Sequence, residues 1–211
     1  MPQDFSELSG SILQEMGVVV TSKQLGMFRQ YLVLLDKWNQ VYNITSVTPK
    51  SMWVSTHLYD SCSIISTLPS GFLLDIGTGG GFPGLPIAIA QPERDVVLLD
   101  RSEKKTTFLK QVVIELGLKN VVIETSRIES YDRLKQFDVI VYRAFSELKI
   151  FLRSASQFCD SGGALFAMKG KYPTTELAEI PAGKVRQVKK LNVPELNAER
   201  HVVELVPEIK I

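Results

Sequence analysis

Phe72-Leu73-Leu74-Asp75-Ile76-Gly77-Thr78-Gly79-Gly80-Gly81-Phe82-Pro83-Gly84 is the stretch that decides how this chain is read. Apolar residues bracket an acid at the end of a strand. The glycines then let the backbone turn sharply and approach a ligand where a Cβ would obstruct it. Pro83 suits the first turn of a helix, because its missing N–H has no intrahelical partner there. A second apolar run, Val96-Val97-Leu98-Leu99, ends in Asp100. Two adjacent strands that both present an acid at the carboxyl end, one running into a glycine loop, form the pattern of a nucleotide-cofactor pocket.

Two frames compete for that loop. The dinucleotide fingerprint G-x-G-x-x-G fits Gly79 through Gly84 only weakly. The frame acidic-x-Gly-x-Gly-x-Gly, from Asp75 to Gly81, fits better. It is the pattern of class I methyltransferases, whose glycine loop passes under the amino-acid half of S-adenosylmethionine. In that frame Asp75 stands near a cationic amino group, Gly77 and Gly79 belong to the cofactor loop, and Asp100 accepts ribose hydroxyls.

Working outward, the sequence before residue 71 is helical. Phe5, Leu8, Ile12, Leu13 and Met16 fall at helical spacing until Gly17. Thr21-Ser22-Lys23-Gln24 has capping-box form ahead of a longer helix carrying Leu25, Phe28, Leu32 and Leu35 on one face. Asn43-Ile44-Thr45 is a break, Thr48-Pro49 a fresh helix start, and a further helix is expected from about 55 to 66. From Gly71 strands and helices alternate, the mark of a mainly parallel sheet covered on both faces. Strands are expected near 72–76, 95–99, 120–124, 137–141, 163–168, 185–192 and 201–206, and helices near 83–91, 103–117, 147–158 and 173–180. The last two strands, joined by a short loop, predict an antiparallel hairpin at the sheet edge. The fold class is therefore α/β: a Rossmann-like methyltransferase domain over 71–211 with a seven-stranded sheet, preceded by an N-terminal helical subdomain over 1–70.

Composition narrows the function classes. The 211 residues are 45% hydrophobic and 22% charged, with a net charge of +1, so a basic surface for nucleic acid must come from local clustering. Cys62 and Cys159 lack C-x-x-C spacing, and His57 and His201 lie far apart, so neither a disulfide framework nor a metal site is expected. The start MPQDFSELSG has no basic and apolar signal pattern, and no apolar run reaches membrane-spanning length. A cytoplasmic monomer is the expectation.

Several pieces together resemble the RsmG, or GidB, methyltransferases. They are Lys37-Trp38-Asn39-Gln40-Val41-Tyr42-Asn43-Ile44-Thr45-Ser46, His57-Leu58-Tyr59-Asp60-Ser61, Asp75 through Pro86, Ser126-Arg127-Ile128-Glu129, Tyr142-Arg143-Ala144-Phe145, Met168-Lys169-Gly170 and Glu199-Arg200-His201. The resemblance implies methyl transfer from S-adenosylmethionine to N7 of a guanine in the 530 loop of bacterial 16S ribosomal RNA, as naked RNA or within the small subunit. By position it implies cofactor contacts at Gly77, Phe82, Ile128, Glu129 and Arg143. This chain departs from the usual pattern at Ile44, Arg101, Lys105 and Tyr142, none of which removes a cofactor element.

The chemistry so implied needs no general base, since N7 already offers a lone pair. It needs alignment and cationic donors. Arg143 and Lys169, each at a strand end, are the candidates for positioning the guanine. Arg127, Lys169, Arg200, Lys104 and Lys105 are the candidates for binding RNA, with Lys171, Lys184, Arg186, Lys189 and Lys190 forming a second basic run. His57, with Asp60, is expected to brace the helical segment over the pocket. The competing readings are a methyltransferase for a small molecule or protein, a nicotinamide oxidoreductase, and an RNA-binding assembly protein without turnover.

Overall fold

The computed structural model describes residues 5–46, 49–132, 136–143 and 147–208. The helix start at Thr48 and the Ala144-Phe145 part of the family motif lie outside the described residues. Seven strands, β1 (Leu73–Ile76), β2 (Val96–Asp100), β3 (Val121–Thr125), β4 (Phe137–Arg143), β5 (Cys159–Lys169), β6 (Val185–Leu191) and β7 (Arg200–Leu205), form one sheet in the order β3-β2-β1-β4-β5-β7-β6. The first five run parallel, while β7 pairs antiparallel with both β5 and β6. Strand order reverses at β1, which pairs β2 on one side and β4 on the other. A crevice therefore opens at the carboxyl ends of these strands.

Alternation along the strands divides the interior into two cores. Leu73, Val96, Leu98, Val139, Val141 and Phe166 point to one face, and Leu74, Val97, Leu99, Ile140, Tyr142 and Leu165 to the other. The first core is completed by α1 (Gly10–Glu15), α2 (Ser22–Tyr42), α4 (Gly84–Ala90) and α5 (Glu103–Leu116). The second is completed by α6 (Leu148–Ala155). Phe28, Leu32 and Leu35 of α2 are fully buried in the same cluster as Leu85, Phe108 and Leu109. Each such side chain contributes roughly 1.5–3 kcal/mol relative to exposure, which holds the N-terminal helices against the sheet layer.

Helix α2 starts where its sequence says it must. Thr21 Oγ1 accepts from Gln24 N–H at 3.2 Å, and Gln24 Oε1 accepts from Thr21 N–H at 2.8 Å. The same Gln24 side chain donates from Nε2 to Ile89 O and Ala90 O, so this cap also satisfies the last carbonyls of α4. Asn43 ends α2 in the left-handed conformation, φ 48°.

Three expectations are corrected. The first helix begins at Gly10, not near Phe5: Phe5 adopts φ 51° in a turn closed by Leu8 N–H to Phe5 O, and its ring stacks on Trp53. The helix expected over 55–66 is instead a π-helix (Val54–Tyr59), a short α3 (Asp60–Cys62) and a 3₁₀ turn (Ile65–Thr67). Ser55, Thr56, Ser61, Ser63 and Thr67 all donate hydroxyls to carbonyls three or four residues back, which competes with a regular ladder. Strand β5 begins at Cys159, not 163, because the pairing with β4 shifts between Phe137 and Val139 and passes around the turn-like Asp-Ser-Gly-Gly run.

Candidate active site

The glycine loop leaves β1 under tight control. Gly77 N–H and Thr78 N–H both donate to Leu99 O, at 2.8 and 3.1 Å, which pins the loop to the end of β2. Gly77 has φ 67°, a conformation that costs an L side chain about 1–2 kcal/mol. Gly79 N–H donates to Asp100 Oδ2 at 2.9 Å, while Asp100 Oδ1 accepts from Ser102 N–H at the start of α5. From above, the Tyr31 hydroxyl of α2 donates to Gly80 O. Pro83 precedes the helix as its N-cap, one position earlier than expected, and Gly84 opens it. A Cβ at Gly84 would stand 2.3 Å from Leu98 Cδ2 and 2.7 Å from Asp75 Oδ2, so only glycine permits this approach.

Asp75 is fully buried. Its Oδ2 accepts from Thr78 Oγ1 at 2.6 Å and from Gly84 N–H at 2.8 Å, tying strand, loop and helix together, while Oδ1 has no partner among the described residues. Burial pushes its carboxyl up to about 7, against the lowering effect of those two hydrogen bonds and of Arg143. Asp75 thus builds the loop, a role that its spacing to Thr78 hinted at and the sequence argument missed.

A cavity of about 440 Å³ lies at the strand ends. The structure brings Gly77, Asp100, Lys104, Lys105, Arg127, Ile128, Glu129 and Arg143 together in its wall, with Ile76, Leu99, Arg101, Ser102 and Ser126. Ile128 serves both the wall and the second core, being only 4% exposed. Three expected residues do not line it: Asp75 is sealed beneath the loop, Gly79 is engaged with Asp100, and Phe82 is buried under the helical segment. Phe82 stacks on His57 with centroids 4.4 Å apart, packs on Tyr31, and has the Arg143 guanidinium 5.1 Å from its ring centroid.

A second cavity, about 380 Å³, adjoins the first and shares Arg143 with it. Thr56, His57, Asp60, Met168, Lys169, Gly170 and Arg200 complete its wall. The candidate cations here are paired with carboxylates. Asp60, buried, accepts from Arg143 Nη1 at 3.1 Å on one oxygen and from Arg200 Nε at 3.0 Å on the other, and Arg143 also donates to Thr56 O. Lys169 Nζ donates to Glu176 Oε2 at 2.7 Å, and that oxygen also accepts from Leu148 N–H at the start of α6. Burial pulls the Lys169 pKa down, but its hydrogen bonds to Glu176 and Tyr142 outweigh this and raise it, so it stays charged. Asp60 was expected only as a brace alongside His57, and Glu176 carried no sequence signal at all.

His57 is held neutral: burial and the nearby Arg143 lower its pKa to about 3, while Nε2 meets Thr45 Oγ1 at 3.1 Å. A histidine depressed in the folded state costs stability as pH falls from its ordinary value of 6.5 toward about 3, because only the unfolded chain takes up the proton. The loss amounts to about 2 kcal/mol by about pH 5. Asp75, raised from 3.8 to about 7, acts in the opposite sense over much of that window. Denaturant unfolding of His57→Gln beside wild type at each pH isolates the histidine: the variant should gain in relative stability on acidification, and parallel profiles would contradict the neutral assignment.

Comparison with known proteins agrees with this geometry. A model of the family described as "GidB: rRNA small subunit methyltransferase G" matches residues 24–203. The chain is 46% identical over 196 residues to the ribosomal RNA small subunit methyltransferase G of Chromobacterium violaceum, covering 92% of this chain and 94% of that one. It is 45% identical over 194 residues to that of Laribacter hongkongensis, again covering 92% and 94%. Among solved structures, a precorrin-6y C5,15-methyltransferase from Geobacter metallireducens matches with TM-score 0.55 at 15% identity, over 70% of this chain and 87% of that one. TrmN from Thermus thermophilus matches with TM-score 0.56 at 19% identity, over 82% and 52%. The structural likenesses show a shared methyltransferase fold. The sequence likeness, running through both cavities, goes further: this chain belongs to the GidB family, the small-subunit ribosomal RNA methyltransferases G.

Proposed function

We propose that this chain transfers the methyl group of S-adenosylmethionine to N7 of guanine 527, in the 530 loop of 16S ribosomal RNA, in the bacterial cytoplasm. The observation that carries this reading is the pair of adjoining cavities that share Arg143, one suited to a nucleotide cofactor and the other lined by Arg143, Lys169 and Arg200. The residues present fit the cofactor. Asp75, sealed beneath the loop, shapes it through Thr78 and Gly84 and leaves the cavity wall to other residues. Asp100 and Glu129 offer acceptors, and Ile128 an apolar surface, for ribose and adenine.

When bound, S-adenosylmethionine supplies an electrophilic methyl group. The side chains then have to orient rather than deprotonate, because guanine N7 carries its own lone pair. Lys169, charged and fixed by Glu176, donates toward O6 or a phosphate, and Arg200 and Arg143, fixed by Asp60, set the cationic wall. The target base must be unstacked to reach such a cavity, since A-form RNA hides N7 in a deep groove.

The reading is tested by methyl incorporation into small subunits together with a separate cofactor-binding titration. In Lys169→Ala, loss of a charge-assisted hydrogen bond is expected to raise the RNA KM by about tenfold or more while cofactor affinity changes less than about twofold. Equal losses in both would place Lys169 on the cofactor.

A further inference from the structure

We propose that Tyr172 is a stacking platform for a nucleotide base that flanks the methylated guanine, at the rim of the second cavity. The proposal rests on the ribosomal RNA reading and adds to it a binding residue that lies outside both cavity walls. Tyr172 is 53% exposed, the most exposed aromatic ring among the described residues. The other exposed one, Tyr42, leans on Trp38 at 5.2 Å between centroids, as a helix-surface pair. Tyr172 sits instead two residues beyond Gly170, which lines the cavity, and three beyond Lys169.

Its surroundings hold it in place without covering it. The ring meets His201 edge to face, with centroids 5.6 Å apart and planes at 89°. His201 is itself buried and fixed through Nδ1 to Gly170 O at 2.8 Å. Tyr172 O accepts from Thr174 N–H, and Pro173, buried, follows directly. An aromatic side chain has few torsions to lose, and this one is already seated, so little ordering cost remains when a ligand arrives.

Cations stand beside it: Lys171 precedes it in sequence and is exposed, and Lys190 of β6 pairs in register with His201, while Lys169 at the strand end is held by Glu176. Exposed Glu199 is the counterweight on the same strand connection. An exposed ring interleaved with cations suits a single-stranded nucleic acid, whose phosphates take the charges and whose bases take the ring face. Splaying the target guanine into the cavity removes stacking from its neighbours, and a ring beside the mouth replaces it.

The experiment measures methyl transfer to small subunits by wild type, Tyr172→Ala, Tyr172→Leu, Tyr172→Phe and Tyr172→Trp, with cofactor affinity and thermal midpoint measured on each. Stacking on one base by alanine substitution corresponds to about a five- to 150-fold effect. The proposal expects the RNA KM to rise by that factor in the alanine variant and by less than that in the leucine variant, with phenylalanine and tryptophan within about twofold of wild type and cofactor affinity unchanged throughout. A 530-loop hairpin carrying 2-aminopurine beside the target should be quenched by wild type and Tyr172→Phe but not by Tyr172→Ala. An alanine KM within about twofold of wild type, or a phenylalanine variant as impaired as alanine, would overturn the stacking role. If the alanine variant loses its fold, the leucine variant decides, since an aliphatic side chain of similar bulk keeps the packing without a ring; a wild-type KM there overturns the proposal. A wild-type chain that transfers no methyl to RNA overturns this proposal together with the reading beneath it, whereas wild-type turnover with an unchanged alanine KM overturns this proposal alone.

Discussion

Gly77→Asp is expected to abolish measurable cofactor binding, with affinity falling by at least about a hundredfold, or about 2.7 kcal/mol. Three effects add at this position. The φ of 67° penalises any side chain. The new side chain enters the cavity wall that Gly77 forms, and its charge lies in the same wall as the Asp100 carboxylate. The Gly77 N–H to Leu99 O bond then has to be held by a strained residue. The helical core around Phe28, Leu32 and Phe108 does not involve Gly77, so the chain should remain folded. Gly77→Ala, carrying only the backbone penalty and one methyl group, should be intermediate. Calorimetric titration with S-adenosylmethionine decides the matter, and wild-type affinity in the aspartate variant would displace the cofactor from this loop.

Asp60→Ala should have the next largest effect, on both stability and RNA recognition. Asp60 joins three parts of the fold: α3, the end of β4 through Arg143, and the start of β7 through Arg200. Removing it leaves two guanidinium groups without their charge partner. Breaking a buried pair costs about 3–5 kcal/mol, and because Arg143 and Arg200 are partly exposed, at 19% and 23%, solvent screening reduces this to about 2–3 kcal/mol. For a chain of this size the thermal midpoint should fall by about 5–10 °C. Below that midpoint, RNA KM should rise by about tenfold or more, because the arginines no longer hold their places in the wall of the second cavity. Asp60→Asn keeps the shape and one acceptor oxygen and should fall between the two. An alanine variant with wild-type midpoint and KM would show that the arginines are held by other means.

Much of this was legible in the sequence, for physical reasons. The parallel strands are short, mainly apolar runs, and each appears within a few residues of its expected place, most of them within one. The Thr21 and Gln24 cap could be read because its partners are three residues apart. Residues 50–67 could not be read in the same way. Their apolar spacing is helical, but hydroxyl groups at Ser55, Thr56, Ser61 and Ser63 draw on the backbone carbonyls and leave a mixed π, α and 3₁₀ path.

The candidate site divides along the same line. Gly77, Asp100, Ile128, Glu129 and Arg143 converge on one cavity, as the strand-end argument requires. The partners of the cations were not visible, because Arg143 and Arg200 lie 83 and 140 residues from Asp60. Charge counting along a chain treats such arginines as free, whereas the fold supplies their carboxylate from another layer. Asp75 shows the reverse case, a motif acid whose burial gives it an architectural duty to Thr78 and Gly84 before any ligand is considered.

The most direct test of the central claim is methyl transfer from radiolabelled S-adenosylmethionine to small subunits and 16S ribosomal RNA from cells lacking this activity, followed by identification and mapping of the labelled nucleoside. Label recovered as 7-methylguanosine in the 530 loop is the expected result, and the Lys169→Ala and Asp60→Ala chains should give less of it at limiting RNA. Absence of label in RNA from a chain that binds the cofactor, or label in another nucleoside, would contradict the assignment of the second cavity to that guanine.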